Sequence, residues 1–369
     1  MGSDTSEERQ ADAGLMDVAL ELAARGKGAT APNPMVGALL HRDDRIVGRG
    51  YHERAGGRHA EVVALDEAGA AARGATLYCT LEPCCHTGRT GPCVERIVKA
   101  GVLRVVVAHE DPNPLVNGAG VGFLRAHGVK VEVGVRRAEA TRLNEAFLVV
   151  HPLARPFVTL KAAVSLDASI AAAPGQQTPL TGRDAQTHAH TTRAEVDAIG
   201  VGSGTVLVDN PQLTARGVAR RRPFVRVLFD TRLRTPPQAK VLTTLTHGPV
   251  VIMTTETAVA TWPQRALALT RAGATLERLP ERNLEGALTR LLEYDVSDLV
   301  IEGGAELHRA VWQAGVVDRV RLYISPVRLG PRGVRWMRDT RFSFAALGQS
   351  RTRWLGEDVL LEADVQRFD

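Results

Sequence analysis

Cysteine is scarce: four residues in 369 are too few to staple a chain of this size with disulfides. Their clustering fits a reducing compartment, so the expected location is cytoplasmic. Aromatic residues make up only 4% of the chain, which argues against a platform for stacking nucleobases. No run of five or more Lys/Arg occurs, and the longest basic cluster is Arg220-Arg221-Arg222. Nucleic acid is therefore not an expected partner, although the net charge is +5. Almost all the basic charge is arginine, a residue that holds phosphate through two parallel hydrogen bonds. No apolar run reaches the ~18 residues of a membrane span, so no membrane partner is expected. The first residues, MGSDTSEERQADAG, lack a positive segment followed by an apolar one, and no signal peptide is expected. What is present is a 44% hydrophobic chain, long enough for two domains with real cores.

The stretch from His59 to Cys93 organises the rest. It begins HAEVVAL and ends TLYCTLEPCCHTGRTGPC. His59, Cys84 and Cys93 form a zinc ligand set of one imidazole and two thiolates. Three protein ligands leave the fourth tetrahedral position open, the mark of a catalytic site. Glu61, two residues after the histidine, is placed to move protons without being a ligand. The H-x-E…P-C order is that of zinc nucleobase deaminases, whose signature usually ends P-C-x-x-C. Here Cys84 is followed by Cys85, and the next thiol is Cys93. The insert CHTGRTGP reads as a loop, compatible with one metal if it folds back. Cys84 follows the motif's proline, so it is expected to be the ligand rather than Cys85. Cys79 lies in an apolar run and is expected in the core.

Residues 12–26 have helical apolar spacing and a closing glycine. MVGALL and RIVGRG read as a hairpin joined through HRDD. His59 opens a helix, TLYCTLEP reads as a strand ending at Cys84, and Cys93 starts the next helix. VLRVVVAHEDPNP is a strand and turn, GVGFLRAHG a helix, VKVEVGV a strand, and RRAEATRLNEAFLVVH one closing helix. Pro152 and Pro156 bound a linker at 151–155. A second alternating pattern follows. PFVTLKAAVSLDASIA starts as a strand, and RDAQTHAHTTRAEV is a helix. DAIGVGSGTVLVDNPQLTAR is a strand followed by a glycine-rich loop. FVRVLFD, GPVVIMTT, SDLVIEGG and VDRVRLYIS are strands. IEGGAEL sets glycines between a strand and a helix start, where backbone N–H groups can approach a phosphate. The fold class is α/β with two domains, 12–150 and 156–369.

At this point both halves resemble one family, the bifunctional riboflavin-biosynthesis deaminase/reductases. The deaminase half carries PNPMVGA around Asn33, AGGRHAE through Glu61, LEPCCHTGRTGPC and DPNP. The reductase half carries LKAAVSLDASIA, TRAEVDAIGVGSGTVLVDNPQLTAR and IEGGAEL. The resemblance implies an N-terminal cytidine-deaminase-like zinc domain and a C-terminal dihydrofolate-reductase-like domain. It implies one Zn²⁺ per chain and NADPH as cofactors, a ribosylamino-pyrimidine 5′-phosphate as substrate, and a homo-oligomer (dimer or tetramer). By matching position, Thr205 contacts the cofactor and Gly303 and Gly304 form its loop, with Lys161 and Asp209 also on the cofactor side. Arg193, Asp209, Leu213, Arg216 and Glu302 lie around the substrate in the second half. Ser165 and Asp167 stand in the strand beside that site.

Three departures stand out. Ala168-Ser169 replaces a glycine and a basic residue, Pro179 replaces a tryptophan, and Asn210 replaces an aspartate. The loss of a flat aromatic surface predicts weaker NADPH binding. In the first half, Glu61 is expected to act as base and then acid. Asn33 and His52 are candidates for ring or ribose contacts, while a turn-former and a surface histidine remain open readings. Two alternatives stand beside the bifunctional reading. One is a monofunctional deaminase with a degenerate reductase domain, which NADPH binding would exclude. The other is an RNA-binding nucleobase deaminase, which salt-dependent RNA affinity would reveal.

Overall fold

The computed structural model describes residues 4–85, 91–113, 116–220, 222–337, 342 and 344–366. Residues 86–90 of the insert between Cys84 and Cys93, Pro114 of the DPNP turn and Arg221 of the arginine cluster lie outside the described residues. The chain divides into two compact units, Met1–Leu153 and Ala154–Asp369.

In the first unit, α1 (Asp4–Ala24) buries Met16, Ala19 and Ala23, spaced three and four apart on one face. The hairpin β1 (Gly37–Arg42) and β2 (Arg45–Tyr51) turns at Asp43 and Asp44, both at positive φ. Then come α2 (Ala60–Ala68), β3 (Thr76–Cys79), α3 (Cys93–Ala100), β4 (Arg104–Val107), α4 (Ala119–Ala126) and β5 (Lys130–Val133). Helices α5 (Arg137–Leu143) and α6 (Glu145–Leu153) complete the unit. The sheet order is β2-β1-β3-β4-β5, with β3, β4 and β5 parallel and β1 antiparallel to both of its neighbours, β2 and β3. Two glycines let helices lie directly on the hairpin. A Cβ at Gly37 would come within 2.0 Å of the Ala19 carbonyl oxygen, and one at Gly50 within 2.2 Å of that of Ala60. The second contact fixes the first turn of α2, which carries His59 and Glu61.

The second unit is built on a nine-stranded sheet. Its first elements are β6 (Phe157–Ser165), β7 (Ser169–Ala171), α7 (Arg183–Glu195), β8 (Ala198–Gly202), α8 (Ser203–Asp209), β9 (Val225–Phe229) and α9 (Lys240–Thr243). There follow β10 (Val250–Thr255), α10 (Glu256–Thr261), α11 (Pro263–Arg271), β11 (Ala274–Leu279), α12 (Leu284–Leu291), β12 (Asp298–Gly303) and α13 (Ala305–Gln313). Last are β13 (Arg319–Ser325), β14 (Val334–Arg335), β15 (Leu347–Leu355) and β16 (Asp358–Val365). The order is β11-β10-β9-β8-β12-β6-β13-β16-β15, parallel up to β13 and antiparallel for the last two; β14 and β7 pair separately. Alternate residues feed opposite cores, as the two-residue period requires. Val251 and Met253 join one cluster, and Val250 and Ile252 join the other. Strand β12 sits between β8 and β6, so the strand order reverses there. Crevices at such switch points, beyond the carboxyl ends of the strands, are where open α/β sheets bind ligands.

Four local expectations are corrected. Strand β3 stops at Cys79, not Cys84. Pro83 has no N–H for the ladder, and the Glu82 carboxylate turns away to accept the N–H groups of Asp111, Gly118 and Val121. The single closing helix is two helices, broken where Asn144 turns its amide onto the Met35 backbone. The expected linker at 151–155 is helical through Leu153, with Pro152 inside the helix. The glycine-rich segment after β8 is helix α8, anchored by buried Val206 and ended by Asn210 at φ 42.

Candidate active sites

His59 is the N-cap of α2, with extended backbone at φ −71 and ψ 154. This points its ring off the helix start, while Glu61, inside the first turn, is 4% exposed. Cys93 is the first residue of α3 and fully buried. Cys84 lies in the turn beyond β3, and its sulfur accepts the backbone N–H of Cys93 at 3.4 Å. The His59 Nδ1 lies 3.5 Å from Cys84 Sγ and 3.3 Å from Cys93 Sγ, and the three donor atoms fall within 4.8 Å of one another.

A tetrahedral zinc with bonds of ~2.0–2.3 Å separates its donors by roughly 3.5 Å. The cluster therefore fits zinc in both chemistry and spacing. The hydrogen bond from the Cys93 thiol outweighs burial and, with His59, holds the Cys84 thiol down at about 4. The same thiol–thiol contact, with burial, pushes Cys93 up. The bond to Cys84 raises His59, and burial raises Glu61. Cys85 is not in the cluster and packs against the apolar core, which also contains Cys79.

His52 is buried, not a surface histidine. Its Nδ1 faces the Arg58 carbonyl at 3.0 Å and its Nε2 faces the Asn33 amide nitrogen at 3.1 Å. Donation to the carbonyl makes Nε2 the acceptor, so the ring is assigned as the neutral Nδ1–H tautomer. Burial also lowers its pKa, in line with that assignment. The ring stands edge-on to His59 with centroids 5.7 Å apart. His52 thus links Asn33 to the His59–Cys84–Cys93 cluster. Two supporting residues escaped sequence reasoning. Glu82 ties the Cys84 turn to the 111–121 segment, and Asn144 clamps Met35, two residues from Asn33, with bonds of 2.8 Å to both N–H and C=O. Glu82 had a signal, since it lies inside LEPCC; Asn144 had none.

In the second unit, Arg193 of α7 donates two guanidinium nitrogens to Glu302 of β12, Nε to Oε1 at 2.7 Å and Nη2 to Oε2, and its third, Nη1, to the Thr214 carbonyl at 3.1 Å. Burial alone would raise Glu302; Arg193 and then Lys161 outweigh it and hold the carboxyl at about 2. Burial lowers Lys161, with Glu302 opposing. The Lys161 ammonium lies 5.4 Å from the centroid of the Tyr323 ring. Arg216 donates its backbone N–H to His190 Nδ1, on the helix that carries Arg193. Leu213 is buried and held at φ +52. Thr205 abuts the glycine turn: Cβ atoms at Gly303 and Gly304 would lie 3.0 and 3.2 Å from its Oγ1. Gly304 also has φ +72, where a side chain is strained. Asp209 is half-buried at the end of α8, and burial raises its pKa.

Lys161, Arg193, Thr214 and Glu302 thus come together, as do Thr205, Gly303 and Gly304. Ser165 and Asp167 bond elsewhere. Asp167 accepts from Ser165 Oγ and from the N–H groups of Leu329 and Gly330, locking a turn. Ala168 in that turn has φ +58, Ser169 is buried, and Pro179 is exposed.

Two family models match. "Cytidine and deoxycytidylate deaminase zinc-binding region" covers residues 9–109, and "RibD C-terminal domain" covers 156–361. The riboflavin biosynthesis protein RibD of Aquifex aeolicus is 40% identical over 359 residues, 96% of this chain and 98% of its own. That of Escherichia coli is 37% identical over 324 residues, 85% and 87% of the two chains. Among solved structures, Acinetobacter baumannii RibD is 36% identical with a TM-score of 0.86, covering 97% of this chain and all of its own. A diaminohydroxyphosphoribosylaminopyrimidine deaminase/5-amino-6-(5-phosphoribosylamino)uracil reductase from Thermotoga maritima is 32% identical with a TM-score of 0.84, at the same coverage. The dihydrofolate-reductase-like half and the cytidine-deaminase-like half therefore stand together in one chain, and that chain belongs to the RibD family of riboflavin-biosynthesis proteins, zinc deaminase and NADPH-dependent reductase in one.

Proposed function

We propose that residues 12–150 deaminate 2,5-diamino-6-ribosylamino-4(3H)-pyrimidinone 5′-phosphate and that residues 156–369 then reduce its ribosyl group to ribityl. His59, Cys84 and Cys93 hold one Zn²⁺, and the observation that carries this is their convergence beside buried Glu61. When bound, zinc lowers the pKa of water toward ~7 and polarises the group it faces. The Glu61 carboxylate takes the proton of the attacking water and returns one to the departing amine nitrogen. Its burial favours the protonated state that the second transfer needs. The neutral His52 fixes the Asn33 amide by accepting from its nitrogen, which leaves the Asn33 oxygen to accept from a ring or ribose donor.

In the second half NADPH supplies hydride, and the protein supplies position and charge. Thr205, Gly303 and Gly304, with Lys161 and Asp209, form the cofactor side. Arg193, Leu213, Arg216 and Glu302, again with Asp209, form the substrate side. The enzyme works in the cytoplasm as a homo-oligomer. The deciding experiment is Glu61→Gln. Zinc content and reduction of pre-deaminated substrate should persist while ammonia release falls ~10²–10⁴-fold. Near-normal ammonia release would remove Glu61 from the mechanism.

A further inference from the structure

Arg226 of β9 is fully buried, yet among the described residues no carboxylate pairs with it. A buried cation without a counter-ion is costly, and removing it into water is the ordinary solution. Here the guanidinium is held by neutral oxygens from separate segments. Nη1 reaches the carbonyls of Gln212 and Val241 and the Thr244 hydroxyl at 3.3, 2.9 and 2.9 Å, and Nη2 donates to the Gly248 carbonyl. Burial lowers its pKa to about 10, so it stays charged at neutral pH. Two of the segments, α9 and the turn at Gly248, are scaffold. The third is the loop after α8.

That loop is held in an unfavourable conformation. Asn210 and Leu213 both have positive φ, 42 and 52. Non-glycine residues reach the left-handed region only when their surroundings impose it. The contact at Gln212 lies between them. The next residue but one, Thr214, accepts from Arg193, which in turn pairs with Glu302.

We infer that Arg226 is a positioning residue for the substrate side of the second unit: its guanidinium ties the Gln212 carbonyl to α9 and the Gly248 turn, and so sets the loop that carries Leu213, Thr214 and Arg216. This rests on the reading that Arg193, Arg216 and Glu302 surround the phosphorylated pyrimidine. The contact is to a backbone oxygen, so the Gln212 side chain is not part of it.

The test uses the full-length zinc-loaded protein with NADPH and the deaminated substrate, 5-amino-6-(5-phosphoribosylamino)uracil. Arg226→Met should raise KM for the pyrimidine about 10–100-fold, the scale of a loop displaced by about 1 Å. The NADPH dissociation constant and ammonia release by the first unit should change less than about twofold. Arg226→Lys keeps the charge but has one nitrogen for oxygens on three segments, so an intermediate rise is expected; it decides the matter if the Met variant does not fold. An unchanged KM in Arg226→Lys, or equal losses of pyrimidine and NADPH affinity, would overturn the inference and leave Arg226 as a core strut. Arg193→Ala and Arg216→Ala run in parallel. If neither raises KM, the substrate-side reading itself fails and the inference falls with it; if they raise KM and the Arg226 variants do not, only the inference fails.

Discussion

Glu302→Gln tests the electrostatics of the second unit most directly. The Glu302 carboxylate takes two hydrogen bonds from Arg193, and its side chain is 8% exposed. Its pKa falls from an ordinary 4.5 to about 2. Roughly two to three pKa units correspond to about 3 kcal/mol of stability at neutral pH. The sign follows from a depressed folded pKa. The contribution is complete above pH 4.5 and is lost as pH falls toward 2, where wild type also carries a protonated carboxyl. Glutamine keeps the shape and one acceptor but leaves the charges of Arg193 and Lys161 uncompensated, in line with the ~3–5 kcal/mol cost of halving a buried pair. All four tryptophans, Trp262, Trp312, Trp336 and Trp354, lie in the second unit. Tryptophan fluorescence therefore reports this unit alone, free of the metal-binding unit. Urea unfolding at pH 7 should show the variant about 3 kcal/mol less stable, and its melting temperature should fall by roughly 6–12 °C. The gap should narrow as pH drops below 4.5. A gap under about 1 kcal/mol at pH 7, or one that stays constant down to pH 3, would refute the reasoning.

Zinc analysis separates the thiols: Cys93→Ser should lose the metal, and Cys85→Ser, which alters a residue packed on the core, should keep it. Equal losses would show that the wrong thiol is assigned. Ala168→Gly should stabilise the second unit by about 0.5 kcal/mol, since relief of ~1–2 kcal/mol of left-handed strain exceeds the added entropy cost of glycine; a lower urea midpoint would contradict this. Asn144→Ala leaves the Met35 N–H and C=O without their partner, which should cost about 2–3 kcal/mol and raise KM for deamination. If KM is unchanged, the clamp does not position the Asn33 segment.

The sequence alone determined the parts of this protein whose chemistry is local. His59 and Glu61 share one helix start, and Cys93 opens another, so the His59–Cys84–Cys93 cluster and the buried carboxyl of Glu61 were legible from spacing and helix ends. The parallel strands were equally readable, because strands buried on both faces are continuous apolar runs. Segments held by distant partners were not readable. Strand β3 stops short of Cys84 because Glu82 binds N–H groups 29, 36 and 39 residues away. The closing helix breaks at Asn144 because Met35, 109 residues earlier, takes its amide. Helix α8 looked like a loop because its glycines carry local turn signals, while its one buried apolar side chain, Val206, meets a core made by the sheet. The role of Arg226 was invisible for the same reason. In sequence it is one arginine in an arginine-rich chain, and only the packing of β9 against α9 and the 210–216 loop removes it from water and leaves it neutral oxygens, three carbonyls and the Thr244 hydroxyl, for partners. Composition and periodicity report what a residue prefers in isolation; which groups are desolvated together, and must therefore satisfy one another, is decided by long-range contacts.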